Sequence, residues 1–430
     1  MQLRHRSTVV VGETGSGKST QLPQFLLDAS GFGRHLSVVC TQPRRVAAVT
    51  IAQRVASERG SGLGEEVGYA VRFEDRTSSR TRIKYVTDGL LLREAISDPL
   101  LSKYDVVILD ESHERSLQTD VLMGLLKLVQ EKRPSFRLVV MSATLEVDLF
   151  ASFFEDSQAL HIPGRQFPVQ IYYTKHPEED FIDAAFLTCL QIHAEEEEGG
   201  ILVFLPGQDD IESLSHLLLE HLPYIQSKHT QTADGRYKDR IKNQDFSIFP
   251  LYAAMPQEEQ LHAFREVAPG VRKIVIATNI AETSLTISGI KYVVDSGYHK
   301  SRAVSSSGME TLRVLPISQS QANQRAGRAG RESPGKCFRL YCEAAFDKLD
   351  VASLPEIQRM NIAQVVLELK AMGIDASTFP FPSPPPSVSV SRAINMLHAL
   401  QAIDKNKVID CFLDYAFTFK GSDISWSENG

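Results

Sequence analysis

Short apolar runs alternate with longer amphipathic stretches along the first third of the chain. The runs lie at residues 8–11, 37–41, 106–109 and 138–141. Each run is continuous rather than alternating with polar residues, which is typical of strands buried on both faces of a sheet. The amphipathic stretches at 46–58 and 121–132 have the spacing of helices. This order predicts a parallel sheet flanked by helices.

The same rhythm restarts after residues 161–168, a segment punctuated by Pro and Gly. Four further apolar runs follow, at residues 201–205, 248–252, 273–277 and 292–295. A second α/β domain is the simplest interpretation of this restart. From residue 354 to 402 the pattern becomes helical, interrupted at 380–386 by prolines that cannot continue a helix. Residues 404–430 have weak periodicity, which leaves open an ordered fragment of something larger or a loose tail.

The composition is that of an ordinary globular protein. The chain has 430 residues, of which 43% are apolar and 23% are charged, and its net charge is −7. This length allows two or three domains. The negative charge argues against a wholly basic nucleic-acid coat, but a local row of Lys and Arg can bind a phosphate backbone on an acidic protein. Net charge therefore does not decide the binding partner.

Cysteine usage and hydropathy indicate the cellular compartment of the protein. Five cysteines form no C-x-x-C pair and leave an odd count, so neither a zinc site nor a disulfide framework is indicated. A reducing compartment, the cytosol or the nucleus, fits this pattern. No apolar run approaches the ~20 residues that span a bilayer, and the basic N-terminus runs into a glycine loop rather than a cleavage site. We therefore expect neither membrane insertion nor secretion.

A glycine-rich loop follows the first predicted strand. Residues 12–19 read GETGSGKS and satisfy G-x-x-x-x-G-K-[ST] between a predicted strand and a predicted helix. In such a loop backbone amides surround phosphates, and the helix N-terminus favours their negative charge. Lys18 would reach the outer phosphates and Ser19 would ligate Mg²⁺. The alternative, a glycine-rich turn with a surface lysine, is disfavoured by the strand before it.

Two carboxylates follow the strand predicted at 106–109. Asp110 and Glu111 begin the tetrapeptide DESH, at the C-terminal mouth of the predicted parallel sheet. Asp110 suits the binding of Mg²⁺, and Glu111 suits the acceptance of a proton from an attacking water. A helix N-cap without chemistry is the alternative for this tetrapeptide taken alone. The phosphate loop favours the catalytic interpretation.

An arginine repeat lies in the second predicted domain. Residues 324–331 read QRAGRAGR, which places Arg325, Arg328 and Arg331 at i, i+3 and i+6. On a helix this spacing brings the three guanidinium groups near one another. A solvated basic face or a phosphate patch is the ordinary interpretation. Their position in a second α/β domain indicates arginine fingers that reach the γ-phosphate bound by the first.

Eight motifs follow one another along the chain. They read GETGSGKST at 12–20, TQPRRVAA at 41–48, TDGLLLRE at 87–94, DESH at 110–113, SAT at 142–144, ILVFLPGQ at 201–208, TNIAETSLTI at 278–287 and QRAGRAGR at 324–331. In this order they resemble the motifs of superfamily 2 helicases, and of the DEAH-box RNA helicases in particular. The match spans residues 8–402. Within the family the chain is most similar to the nucleolar DEAH-box group.

The resemblance implies an α/β fold with two tandem RecA-like P-loop domains on parallel sheets, followed by a partial winged-helix domain. The implied bounds are 1–160 and 161–346 for the RecA-like domains, 347–403 for the winged-helix-like region and 404–430 for a divergent tail. Ser112 stands where the family usually has Ala, a change that leaves both carboxylates and His113 in place. Relative to the family pattern, we expect a chain truncated at both ends.

The resemblance also assigns roles near the nucleotide. ATP is the implied substrate, with other nucleoside triphosphates left open, and Mg²⁺ is the implied cofactor, held by Ser19 and Asp110. The nucleotide-binding set is Gly12, Glu13, Thr14, Gly15, Ser16, Gly17, Lys18, Ser19 and Thr20, with Arg54 and Phe264 around the base. The catalytic set is Asp110, Glu111, His113, Gln324, Arg328 and Arg331. Ser142 and Thr144 would couple hydrolysis to domain movement.

A further set implied by the resemblance contacts RNA. It consists of Arg44, Arg45, Thr87, Pro206, Gly207, Thr283 and Ser284. Contacts to sugar and phosphate carry no sequence code, so the expected partner is single-stranded or partly duplex RNA of any sequence. The stretch 300–316, with residues 305–308 between two extended runs, would be a strand-separating hairpin. An ordinary surface hairpin is the alternative.

The expected function is hydrolysis of ATP coupled to 3′-to-5′ movement on RNA and to duplex or ribonucleoprotein remodelling. The implied partners include a G-patch-type activator or ribonucleoprotein components, and the implied location is nuclear, with nucleolar and cytoplasmic locations both open. A non-translocating RNA- or protein-binding isoform that binds ATP is the alternative from another class. Acceleration of phosphate release by single-stranded RNA distinguishes the two.

Overall fold

The architecture consists of two α/β domains followed by a helical region. The computed structural model describes residues 5–13, 15–28, 36–143, 147–155, 157–164, 167–178, 180–229, 245–282, 287–304 and 310–404. Each domain is built on a sheet of mainly parallel strands. The predicted fold class is therefore confirmed.

The first domain begins with the glycine-rich loop between its first strand and first helix. Its strands are β1 (Ser7–Gly12), β2 (Val38–Gln42), β3 (Val67–Val71), β4 (Glu74–Arg76), β5 (Ile83–Thr87), β6 (Val106–Leu109), β7 (Arg137–Ser142) and β8 (Ser157–Ile162). Its helices are α1 (Lys18–Asp28), α2 (Arg45–Glu58), α3 (Asp88–Ser97), α4 (Leu117–Lys132) and α5 (Val147–Phe153), with a 3-10 turn at Ser112–Glu114. The sheet order is β4-β3-β5-β2-β6-β7-β1-β8, and β4 is antiparallel to its neighbour.

The second domain repeats this plan and adds a hairpin outside its main sheet. Its strands are β9 (Val169–Tyr173), β10 (Gly200–Phe204), β11 (Asp245–Leu251), β12 (Val271–Ala277), β13 (Ile290–Asp295), β14 (Tyr298–Val304), β15 (Glu310–Pro316) and β16 (Gly335–Arg339). Its helices are α6 (Phe181–Glu195), α7 (Gln208–His229), α8 (Gln257–His262) and α9 (Gln319–Gly327), with 3-10 turns at Asn279–Ala281 and Arg328–Gly330. The main sheet has the order β11-β12-β10-β13-β16-β9, and β14 pairs antiparallel with β15.

The helical region packs onto the first domain and shares its core. After α10 (Glu343–Phe346), which contacts the second domain, it contains α11 (Glu356–Arg359), α12 (Ala363–Ala371) and α13 (Ser387–Ala399). Buried Ile357, Val366 and Leu397 belong to one apolar cluster with Val107 of β6 and Leu122 of α4. Burial of this common apolar surface is the main force that holds the region against the first domain.

Alternation along the central strands explains how one sheet serves two cores. Val107 points into the cluster that includes the helical region, whereas Val106 and Ile108 point into the cluster formed with α1 and α2. Successive side chains of a strand lie on opposite faces, so a continuous apolar run fills both clusters. For this reason the continuous runs predicted strands correctly.

The strand and helix predictions are confirmed where the apolar signal is strong. All eight predicted strands are present with ends within three residues of the observed ones, and the predicted helices correspond to α2 and α4. The two extended runs around 305–308 are β14 and β15, while residues 305–309 lie outside the described residues. The sequence pattern did not predict β3, β4, β5, β8, β9 or β16.

Close packing at Gly124 gives a stability prediction for the shared core. A Cβ at this helical position would lie 2.4 Å from the Phe379 ring and from the Pro380 carbonyl oxygen. Gly124→Ala should therefore destabilise the protein by about 1–3 kcal/mol, because overpacking displaces the segment that carries these two residues. The measurement is the midpoint of urea unfolding followed by circular dichroism.

Gly89→Ala is the matched control, since Gly89 lies exposed in α3 with only the Gln118 side chain near its Cβ position. Alanine lowers the entropy of the unfolded chain there and should leave stability unchanged or raise it by up to ~1 kcal/mol. An unfolding midpoint for Gly124→Ala at or above that of Gly89→Ala would contradict the packing argument.

Candidate nucleotide site between the two domains

The glycine-rich loop connects β1 to α1 through left-handed backbone. Gly15 and Gly17 have φ angles of +89° and +83°, a conformation that costs glycine little and other residues more. Lys18 is buried at the start of α1, and its Nζ donates to the carbonyl oxygens of Gly12 and of Glu13, the latter at 2.9 Å. The amine therefore lies within the curve of the loop. Burial lowers the pKa of Lys18, and the nearby carboxylates of domain 1 oppose this effect.

Asp110 is a buried carboxylate at the carboxyl end of β6. Its Oδ2 accepts a 2.6 Å hydrogen bond from Nε2 of Gln42, its Oδ1 accepts from the backbone N–H of Glu111 at 2.8 Å, and the Ser19 side chain is also hydrogen-bonded to it. Burial and the neighbouring Glu111 carboxylate raise the pKa of Asp110 to about 6. A cation placed here would relieve both effects.

The donor set near Asp110 fits Mg²⁺ that shares its ligands with a phosphate. Within the described ranges no group of three or more His, Cys, Asp or Glu side chains could hold a metal ion. Mg²⁺ commonly binds one or two protein oxygens and takes the rest of its shell from phosphates and water. The Ser19 hydroxyl and the Asp110 carboxylate, already joined by a hydrogen bond, match that pattern.

Glu111 sits on strained backbone next to His113. Its φ of 52° is left-handed, a conformation uncommon for residues other than glycine. His113 Nδ1 accepts a hydrogen bond from the backbone N–H of Ala143 at 3.2 Å, which leaves the proton of a neutral ring on Nε2. That Nε2 lies 3.5 Å from Oε2 of Glu111. The ring thereby connects Glu111 to the end of β7, where the buried Ser142 precedes Ala143.

Two arginines of domain 2 face Glu111 across the cleft. Arg328 lies in the 3-10 turn after α9, and Arg331 follows that turn. Burial raises the pKa of Glu111 and Glu114 adds to the rise, whereas Lys18 and both arginines oppose it. Burial lowers the pKa of Arg331 to about 10, and the negative charge of Glu111 opposes this effect. The charges of the two domains therefore influence one another across the domain boundary.

A cleft of about 1250 Å³ lies between the two domains and is lined in part by these arginines. Its lining includes Glu13 and His113 from domain 1 and Gln324, Arg328 and Arg331 from domain 2. Four of the predicted catalytic residues, His113, Gln324, Arg328 and Arg331, therefore border one space. No described helix is long and apolar enough to cross a membrane.

Arg325 differs from the other two arginines of the repeat. Its side chain is fully buried within domain 2, where Nε donates to Glu282 at 2.7 Å, Nη1 to Asp295 at 2.7 Å and Nη2 to the Tyr298 carbonyl at 3.2 Å. A buried arginine paired with two carboxylates holds three segments of the domain together. Helical spacing alone does not separate this structural arginine from its neighbours.

The residues predicted around the base lie on facing surfaces of the domains. Arg54 on α2 is 71% exposed, and its Nε donates to Glu58 at 2.6 Å. Phe264 follows α8 and packs partly buried against apolar clusters of both domains. Their role in stacking on a base stays a prediction.

The residues predicted to contact RNA have different surroundings. Arg44 bridges the domains, because its Nη1 donates to the Asn279 carbonyl at 2.7 Å and its Nη2 lies 3.5 Å from Oε1 of Glu114. Arg45 is exposed and donates to the Arg72 carbonyl at 3.1 Å.

The remaining predicted contacts are partly buried or undescribed. Thr87 precedes α3 and is partly exposed, whereas Pro206 and Gly207 are buried and the Lys300 side chain lies against Gly207. Four predicted site residues lie outside the described residues: Thr14, Thr144, Thr283 and Ser284.

Sequence reasoning did not predict Gln42 as a partner of Asp110. Gln42 ends β2, which lies beside β6 with Thr41 opposite Leu109. The carboxyl ends of parallel neighbours meet at one edge of a sheet, so a polar residue after each of two predicted strands could have signalled the pair.

Family models and solved structures match both domains. Residues 1–150 match the family described as DEAD/DEAH box helicase, and residues 184–333 match the helicase conserved C-terminal domain. The structure of the Escherichia coli DEAH/RHA helicase HrpB superposes with a TM-score of 0.84 at 33% identity, covering 96% of this chain and 50% of that one.

Two curated relatives extend the match along most of the chain. The probable ATP-dependent RNA helicase DHX35 of Homo sapiens is 48% identical over 415 residues, which is 94% of this chain and 57% of that protein. The pre-mRNA-splicing factor ATP-dependent RNA helicase prp22 of Schizosaccharomyces pombe is 50% identical over 404 residues, 93% of this chain and 33% of that protein. The chain thus spans about half or less of the length of these relatives. With both helicase domains matched in order, and with the phosphate loop and the DESH tetrapeptide on domain 1 and the arginine repeat on domain 2, the chain belongs to the DEAH-box helicase family.

Proposed function

We propose that this chain hydrolyses ATP in response to RNA and uses the reaction to move along and remodel RNA. The observation that carries the proposal is the cleft between the domains, which His113 of the DESH tetrapeptide lines together with Gln324, Arg328 and Arg331 of domain 2. A site divided between two domains is complete only when they approach each other. Hydrolysis would then be linked to domain movement.

Each side chain has a distinct part in the chemistry. The loop amides and Lys18 bind the phosphates. Glu111 orients the attacking water and accepts its proton, and the His113 ring positions the Glu111 carboxylate. Arg328 and Arg331 stabilise charge that develops on the transferred phosphoryl group. Mg²⁺, when bound at Ser19 and Asp110, neutralises charge on the phosphate oxygens.

The nucleotide base would be held by stacking rather than by hydrogen bonds that distinguish bases. Arg54 is exposed toward solvent and Phe264 lies at the contact between the domains, so the two could enclose a base from opposite sides. Stacking on a ring or a guanidinium plane accepts any base. Other nucleoside triphosphates are therefore proposed as substrates besides ATP.

RNA would be held through its sugar–phosphate backbone. The exposed Arg45 and the partly exposed Thr87 of the same domain support backbone contacts that carry no sequence code. The relatives named above are RNA helicases, which supports RNA rather than DNA. We further propose 3′-to-5′ movement, with the β14–β15 hairpin separating strands.

The cellular setting is proposed from the relatives. One of them is named as a pre-mRNA-splicing factor, which supports a nuclear location and ribonucleoprotein partners. A G-patch-type activator and a nucleolar location belong to the same proposal. The helical region after residue 346 is proposed to correspond to part of a winged-helix domain.

Removal of the general base should separate nucleotide binding from turnover. Glu111→Gln keeps the size of the side chain but cannot take the proton, so hydrolysis should fall about a thousandfold, which corresponds to ~4 kcal/mol of barrier. Binding of a fluorescent ATP analogue should persist. Phosphate release with and without single-stranded RNA is the measurement, and Glu131→Gln, an exposed change on α4, is the control. Parental turnover in Glu111→Gln would refute the assignment.

The three arginines should respond differently to truncation. Arg328→Ala and Arg331→Ala should each lower turnover by ~10³ with nucleotide binding retained, because a finger acts mainly on the transition state. Arg325→Ala should instead destabilise domain 2 by about 3–5 kcal/mol, because it leaves Glu282 and Asp295 buried without their cation.

Single-turnover hydrolysis and thermal unfolding of the same three variants separate these effects. A parallel loss of binding and turnover in Arg328→Ala or Arg331→Ala would indicate a structural role. An unchanged unfolding midpoint in Arg325→Ala would contradict the buried pairing.

An exposed arginine allows a test of the RNA surface. Arg45→Ala should weaken binding to single-stranded RNA and reduce the slope of log affinity against log salt by about 0.7, the share of one phosphate contact. Turnover without RNA should be unchanged, since Arg45 makes one hydrogen bond, to the Arg72 carbonyl, among the contacts described here. The control is Arg392→Ala, which makes the same charge change at an exposed position of α13. If both variants gave the parental slope, Arg45 would not contact RNA.

A further inference from the structure

The short helix α11 is fixed to the segment that follows the catalytic carboxylates. The backbone N–H of Glu356 donates to the Arg115 carbonyl at 3.1 Å, and the Leu117 N–H donates to Oε2 of Glu356 at 3.0 Å. Glu111 and Arg115, at the two ends of the 3-10 turn, both have left-handed backbone, with φ of 52° and 48°. Two such residues leave the turn between them few alternative conformations, so a shift at Glu111 is transmitted to Arg115.

Arg115 is itself held rigidly. Its Nε and Nη2 donate to the two carboxylate oxygens of Asp120 at 2.8 and 3.0 Å, and Nη2 also donates to Ser383 Oγ at 2.8 Å. Both members of this ion pair are buried. A bidentate pair in that environment fixes geometry as well as charge. The backbone acceptor for Glu356 therefore has a defined position.

The other end of α11 contacts the hairpin of domain 2. Nη1 of Arg359 donates to Ser301 Oγ at 2.6 Å and to the Arg302 carbonyl at 2.9 Å, both in β14. Its Nη2 lies 3.4 Å from Oε1 of Glu356. The Glu356 carboxylate thus contacts domain 1 with one oxygen and Arg359 with the other.

The segment before α11 is attached to the helix that leads to the arginine fingers. The N–H groups of Gln319 and Ser320, at the start of α9, donate to the carbonyls of Asp350 and Val351 at 2.9 and 3.1 Å. Ser353 Oγ donates to Gln321 at 3.0 Å. Residues 350–359 therefore contact α9, the turn after Glu111 and the hairpin.

Solvent exposure argues against a mainly stabilising role for the Arg359 contacts. The side chains of Glu356 and Arg359 are 30% and 29% exposed. Solvent-screened ion pairs contribute little to stability, in contrast to the buried pair of Arg115 and Asp120. The contacts are better suited to transmitting position, since they lie between two domains and can be broken at low cost.

We propose that α11 links the nucleotide site to the β14–β15 hairpin and that Arg359 is the positioning residue at its hairpin end. The inference rests on the proposed ATP-dependent function and assigns a residue outside its catalytic and RNA-binding sets. Closure of the cleft on nucleotide would shift the turn after Glu111, and Glu356 and Arg359 would pass that shift to Ser301 and Arg302.

Hydrogen exchange measured by mass spectrometry tests this link without relying on RNA or on turnover. The probe is MgADP with beryllium fluoride, and exchange is followed at residues 12–20 and 298–304. In the parental chain nucleotide should slow exchange at both segments. In Arg359→Met the change at 298–304 should fall about fivefold or more, the lower end of ordinary coupling between sites, while the change at 12–20 remains.

Matched variants distinguish the link from a general disturbance. Gln358→Ala, on the same helix and bonded to the Pro384 carbonyl, should behave as the parent. Arg359→Lys should restore part of the response, because an ammonium can still donate to Ser301 or Arg302. Ser301→Ala removes an acceptor from the hairpin side and should reduce the response without adding to the loss in Arg359→Met. It also serves as the test if Arg359→Met fails to fold.

The outcomes separate the two proposals. Absence of a nucleotide response at 12–20 in the parental chain would contradict the proposed function, and this inference with it. A response at 12–20 without one at 298–304 in the parent would overturn the inference alone. A parental hairpin response in folded Arg359→Met, or in folded Ser301→Ala where Arg359→Met does not fold, would also overturn it.

Discussion

Charges of opposite sign are withdrawn from water where the two domains meet, and the rest of the site depends on this arrangement. Asp110 and Glu111 are buried at the end of β6, and Arg328 is buried on the facing domain. Burial raises the pKa of Asp110 and of Glu111 and lowers that of Arg328, so these charges are held at a cost in the assembled site. Approach of the domains brings carboxylate and guanidinium together, and a polyphosphate with its cation between them would complete the compensation. Attraction between groups of the two domains therefore offsets part of the cost of burying each charge.

How far the sequence predicts the fold depends on what surrounds each strand. The run at Val106–Leu109 was predicted with its observed ends because all four residues are buried and apolar. Lys84, whose amine donates to Glu94, interrupts the apolar run of β5. The run is therefore not continuous in the sequence. β8 and β9 lie at the edges of their sheets with partly exposed residues, so their periodicity is weak. Continuous burial is visible in one sequence, but edge position is a property of the assembled sheet.

The site shows the same division between local and distant information. The glycine loop and the DESH tetrapeptide could be interpreted locally because each binds through its own backbone and neighbouring side chains. Arg325 and Arg328 have the same local spacing, yet Arg325 pairs with Glu282 and Asp295, which lie 43 and 30 residues away in the chain. Which arginine faces a buried carboxylate within its own domain follows from the tertiary fold. The structure is therefore needed to tell apart the roles of arginines that share the same spacing.

Apolar and polar contacts divide the molecule into parts that can and cannot move independently. The helical region shares one apolar core with domain 1, and separation of the two would expose that core to water. Several contacts with domain 2 are polar and near the surface, such as those of Arg44 and Arg359. The chain passes from contacts with α9 to contacts with domain 1 between Ser353 and Glu356. Pro355 lies between them with φ of −52°, an angle that its ring fixes. The proline ring thus removes one torsion from the short connection between the contacts with α9 and the contacts with domain 1.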